Sequence, residues 1–148
     1  MTLSGRRGSF TAAKIARGVA LVSEDPLHRR LLPPGSAETT RELALASGVL
    51  KPWMVRLFRR LRYRRGVEWN MDRFSTGELP RLTLRKRYVD DKVGECLAMG
   101  TRQLLILGPG FDTLGPRGAR DHPDLMVIEI DTPATAAKRV RGLKDSIG

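Results

Sequence analysis

Two short apolar runs, each ending in a different kind of residue, restrict this chain more than anything else in it. Gln103-Leu-Leu-Ile-Leu-Gly-Pro-Gly-Phe-Asp-Thr113 breaks into glycines, and Val127-Ile-Glu-Ile-Asp-Thr-Pro133 ends in acids. The first reads as a buried parallel strand entering a tight turn, the second as its neighbour. An acid about twenty residues after a glycine turn can hydrogen-bond a ribose, while the glycines let backbone approach the rest of a nucleoside ligand. Together the two runs form half of a nucleoside-binding crevice.

Everything before Gln103 reads as helix. Residues Met1 to Gly8 form a basic start expected to be disordered. Ser9 or Thr11 can cap a helix whose apolar face is Ala12, Ile15, Ala16, Val19 and Ala20, ending at Glu24-Asp-Pro26. After the Leu32-Pro-Pro-Gly35 turn, Ser36 is expected to cap a second helix through Ala46, with Gly48 just past its end. Pro52 suits the first turn of a third, running to Arg65 before Gly66, with Val55, Phe58 and Leu61 on its apolar side. Val67 to Gly77, carrying Trp69 and Phe74, is expected to be irregular. A fourth helix over Arg81 to Met99 should turn Leu84, Val89, Val93, Cys96 and Leu97 inward, with Gly100 at its end.

The α/β pattern then begins: a strand over Gln103–Leu107, a short helix near Leu114 to Arg120 weakened by Pro116 and Gly118, and a strand over Leu125–Ile130. Thr132 and Pro133 start a last helix through Leu143. The spacing therefore predicts an α/β chain in three parts: the basic start 1–8, a helical region 9–100, and the first βαβα portion of a Rossmann-like domain at 101–148. Parallel strands need neighbours and helical cover on both faces. The pattern is accordingly that of a sheet truncated after its second strand, or of one completed by a homo-oligomer.

Composition narrows the partners. With 27 Lys and Arg against 16 Asp and Glu, the net charge is +11, and the arginines concentrate between Arg56 and Arg87. That balance favours anionic partners without specifying a fold. The arginine-rich helix is open to three readings: a solvated face, a lid over an anionic acceptor, or a nucleic-acid surface with Tyr63 and Trp69 available for stacking. Cys96 is the only cysteine. No intrachain disulfide can form, a reducing compartment is the natural reading, and buried packing is the expected role of the thiol. Nothing approaches a transmembrane span or a cleavable leader, so a cytoplasmic protein without membrane attachment is expected. His28 and His122 stand alone beside turn prolines, without metal-ligand spacing, so no metal is expected.

Three ordered blocks carry a resemblance. Leu84-Arg-Lys-Arg-Tyr-Val-Asp-Asp91, then Gln103 to Thr113, then Glu129-Ile-Asp-Thr-Pro-Ala-Thr-Ala-Ala-Lys138 resemble the leucine carboxyl methyltransferase family, whose bacterial branch of class I S-adenosylmethionine (SAM)-dependent enzymes is the nearest likeness. The family pattern is Arg-x-Arg-aromatic-aliphatic-Asp-Asp, Leu-Gly-small-Gly-aromatic-Asp-Thr, and acid-aliphatic-Asp-x-Pro-Ala-Thr. The likeness runs from Thr11 to Leu143.

The resemblance implies SAM as cofactor and methyl transfer to an oxygen, a carboxylate on a small-molecule or protein acceptor. It assigns Arg85 to the methionine carboxylate of SAM, a task suited to a planar fork of two parallel donors. Gly108 and Gly110 become the turn beneath the methionine and ribose portions, and Asp131 the acceptor of the ribose hydroxyls. Glu129 shares a strand face with Asp131, but Asp131 is nearer the carboxyl end, where open α/β sheets bind ligands. An N-cap role competes for Asp131, and a solvated helix face for Arg85. Leu114 stands where many members carry arginine, which leaves the partner of Asp112 open. No catalytic residue is assigned, since an ionised carboxylate attacking an activated sulfonium carbon needs no general base, only in-line positioning. The resemblance also implies further strands after residue 148, and hence an inactive or weakly active chain.

Two other classes fit parts of the pattern. A dinucleotide-binding oxidoreductase would use a similar turn and acid, but Thr113 occupies the place of the third glycine. A basic nucleic-acid-binding protein would show steeply salt-dependent affinity. Neither accounts for three ordered blocks, and nucleic acid is not the expected partner.

Overall fold

A computed structural model describes residues 9–60, 63, 65–67, 69 and 77–147. Met1 to Gly8, Leu61, Arg62, Arg64 and Phe74 lie outside the described residues, and with them the expected disordered start and part of the arginine-rich helix. The elements run α1 (Phe10–Ser23), α2 (Pro26–Arg29), α3 (Ser36–Ala46), α4 (Pro52–Phe58), α5 (Glu78–Ala98), β1 (Gln103–Leu107), α6 (Leu114–Asp121), β2 (Met126–Ile130) and α7 (Pro133–Ile147). The fold is α/β, mostly helical, with β1 and β2 paired in parallel from Gln103 opposite Met126 to Leu107 opposite Ile130.

The core lies among the helices. Ala16, Val19 and Val22 of α1 pack with Leu43 and Ala44 of α3, Leu50, Phe58 of α4, Leu79 of α5 and Phe111 from the glycine turn. Leu43 is completely buried and Leu50 is 1 % exposed; truncating either to alanine would cost about 2–5 kcal/mol. Phe111 carries the glycine turn into this same core.

Ser9 caps α1 as expected, accepting the Ala12 N–H at 3.2 Å. The expected cap at Ser36 is instead occupied by Gly35, in a left-handed conformation. Ser36 is the first helical residue, and its buried hydroxyl makes no hydrogen bond. The third helix is shorter than its periodicity predicts. It ends at Phe58, whose ring stacks with that of Tyr63, centroids 6.0 Å apart. Val67 and Trp69, expected to be irregular, are helical.

The α5 register also differs. The buried stripe is Leu79, Thr83 and Lys86, so Leu84, Val89 and Cys96, expected inside, are exposed. Its inner neighbours include the polar glycine turn, and a stripe facing a polar loop need not be apolar. Ile15 of α1, also expected inside, is 40 % exposed for its own reason: it stands at a cavity wall.

One face of the sheet packs on the protein, through Leu104, Ile106, Val127 and Glu129. The other is open: Leu105, Leu107, Met126, Ile128 and Ile130 are about half exposed or more. Among the described residues, no helix is long and apolar enough to cross a membrane.

Candidate functional site

The glycine turn sits where β1 ends, beneath the start of α1. Gly108 and Gly110 both adopt positive φ, +64° and +56°, a region L-side chains visit at a cost of about 1–2 kcal/mol. A Cβ at Gly108 would meet open space. At Gly110 it would lie 2.8 Å from the Ala12 Cβ, so α1 crosses the turn at a distance only glycine allows. Ser9 anchors the crossing, donating its N–H to Thr135 Oγ1 at 3.0 Å.

Between α1, α5 and the turn lies a cavity of about 420 Å³, within the range of small-molecule sites. Its wall includes Ile15, Ala16 and Val19, then Leu82, Arg85 and Val89, then Gly108, Pro109 and Gly110. The sequence-assigned Arg85, Gly108 and Gly110 thus come together around one space. Asp131 is not part of the lining; it stands immediately behind, accepting the Gly110 N–H on Oδ2 at 2.8 Å and the Thr132 N–H on Oδ1 at 2.7 Å. Oδ1 also lies 3.4 Å from the Thr132 hydroxyl, so the remaining lone pair is on Oδ2.

Charge in the cavity is almost wholly paired. Lys86 Nζ donates to Asp112 Oδ2 at 2.7 Å, Asp90 is held by the buried Arg117, and Glu129 is held by Arg139. Arg85 is exposed and, among the described residues, has no hydrogen-bonding or ionic partner. The cavity therefore presents one uncompensated, forked positive group.

Asp112 finds Lys86 where the expected arginine at 114 is missing. Burial alone would raise its carboxyl pKa. The charge and hydrogen bond of Lys86, the Leu114 N–H and the charge of Arg117 outweigh burial and hold the carboxyl below the ordinary aspartate range. Its Oδ1 accepts that Leu114 N–H at 2.8 Å, so it also closes the first turn of α6.

Four groups bracing the turn were missed in the sequence: Lys86, Arg117, Thr113 and Arg139. Thr113 is completely buried, with its hydroxyl 3.3 Å from that of Thr40. The spacing Leu79, Thr83, Lys86, Asp90 is a helical stripe, but a mixed one that an apolar template passes over. Arg139 carries no such signal.

Glu129 lines the cavity, yet both its oxygens are taken by Arg139, at 2.7 and 2.5 Å. Glu129 is thus neutralised by a buried guanidinium, whereas Asp131 is bonded by backbone N–H groups and the Thr132 hydroxyl and has no cationic partner among the described residues. None of the described residues between Lys51 and Trp69 lines the cavity: Arg59 pairs with Glu24 at 3.2 Å, and Arg56, Arg60 and Arg65 are exposed. His28 and His122 lie away from it, and no metal-binding cluster of His, Cys, Asp or Glu occurs among the described residues.

Compared with known proteins, residues 10–148 match the family model described as leucine carboxyl methyltransferase. No curated protein and no solved structure matches the chain.

Proposed function

Because the chain belongs to the leucine carboxyl methyltransferase family, we propose that it binds SAM in this cavity for methyl transfer to a carboxylate oxygen of its acceptor. The observation that carries the reading is Arg85: among the described residues, the one unpaired cation on a wall otherwise neutralised pair by pair, lining the same cavity as the glycine turn. A lone guanidinium in such surroundings selects a carboxylate, and the methionine end of SAM supplies one. Gly108 leaves the space beside the turn open for the ligand, and Asp131, just behind the wall, keeps a lone pair on Oδ2 for a ribose hydroxyl beside its bond to Gly110.

Bound SAM supplies a methyl group already activated by the sulfonium. The tied state of Asp90, Asp112 and Glu129 suits such a reaction: the protein has to hold and orient, not to move a proton. A cytoplasmic location is compatible with this reading.

Calorimetric titration of the purified chain with SAM, against NAD as control, tests it. Saturable binding of SAM alone, lost in Asp131→Ala, is the expected result. A folded protein that binds neither ligand would overturn the reading.

A further inference from the structure

We infer that Arg139 is the positioning residue of this cradle, setting the orientation of the Gly110 peptide and through it the affinity for the cofactor. The inference rests on reading the cavity as a SAM site. Arg139 lies on α7 and is 2 % exposed. Its Nε and Nη2 grip the two oxygens of Glu129, while Nη1 donates to the carbonyls of Gly110 at 3.2 Å and Asp112 at 2.6 Å. One rigid, planar group thus serves four acceptors on two elements.

Gly110 is consequently held from both ends. Asp131, at the end of β2, takes its N–H, and Arg139, from α7, takes its C=O. The plane of this residue forms the cavity wall, so its tilt decides how closely a ligand can approach. On one side the Glu129 carboxylate lies against Gly115, where even a methyl group would collide with it, so it has no room to move toward α6. A lysine at 139 would keep the charge but radiate its donors from one atom, and could not span Glu129 and both carbonyls.

The test compares Arg139→Lys with wild type under conditions where circular dichroism shows both folded. Arg17→Lys serves as control, since among the described residues its guanidinium bonds only the Val49 carbonyl, at 2.8 Å, outside the cavity. For Arg139→Lys the Kd for SAM should rise about tenfold, as expected when buried carbonyls lose a charged donor. Amide exchange over residues 108–113 should quicken while the amides of Leu43 and Ala44 stay as protected as before. The control should change neither. Binding within twofold of wild type, or a uniform rise in exchange, would overturn the inference and leave Arg139 a general structural residue. Should Arg139→Lys fail to fold, Glu129→Gln decides: it keeps the carbonyl bonds but weakens the grip, and must show the same local loosening to a smaller degree. If wild type itself does not bind SAM, the cofactor reading fails, and exchange at 108–113 alone shows whether Arg139 holds the turn.

Discussion

The carboxylate of Asp131 holds the amide of Gly110 at 2.8 Å, tying the end of the second strand to the turn after the first. A single side chain would therefore have two tasks: it shapes the turn and, in the function proposed above, accepts the ribose hydroxyls of SAM. Asp131→Asn keeps one acceptor oxygen and should retain the fold while weakening SAM binding about tenfold, the scale of losing charge-assisted acceptance. Asp131→Ala should lose binding altogether and also lower the melting temperature. Titration calorimetry and thermal denaturation on the two variants separate the tasks.

Arg85 makes the opposite prediction. It is exposed and has no partner among the described residues, so Arg85→Ala should leave stability within about 0.5 kcal/mol of wild type. Its Kd for SAM should nonetheless rise at least about tenfold, the worth of a forked carboxylate contact. An unchanged Kd would return Arg85 to an ordinary solvated arginine.

The two turn glycines should differ in their tolerance of a methyl group. Gly108→Ala bears only the backbone cost, about 1–2 kcal/mol, since nothing surrounds its Cβ position. Gly110→Ala adds the collision with Ala12 and should lose about 1–3 kcal/mol more. Adding Ala12→Gly to Gly110→Ala should recover part of that excess, and a double-mutant cycle in urea would read the coupling directly.

Acid should loosen the turn through Asp112. Its folded pKa lies below the unfolded value, so its contribution is complete above the ordinary aspartate range and is lost as pH falls through the folded pKa. Asp112→Asn should therefore cost stability at pH 7 and progressively less below about pH 4. Urea unfolding of both proteins across that range checks the sign: a difference that grows on acidification would contradict it.

The open sheet face supplies a control. Ile128 is 47 % exposed on the sheet face left open among the described residues, so Ile128→Lys should change stability by less than about 0.5 kcal/mol while raising solubility. A large loss of stability would mean that this face is covered in solution.

The sequence by itself determined the local and the repetitive. Strand β1, the glycine turn, α6, β2 and the start of α7 were all legible, because each is specified by residues within a few positions of one another. Arg85, Gly108, Gly110 and Asp131 were named through the family resemblance, whose blocks are likewise short and local. What only the tertiary structure decided were the relations across long separations. Lys86 replaces a missing partner for Asp112 from 26 residues away, the rings of Phe58 and Tyr63 stack, and the inner face of α5 is mixed because it meets the core at Leu79 and the polar turn at Lys86. Arg139 is the clearest case: an arginine on an otherwise ordinary helix, buried because two carbonyls and a carboxylate converge on it only once the chain has folded. Periodicity reports which way a side chain points; what awaits it there depends on the packing of elements distant in sequence.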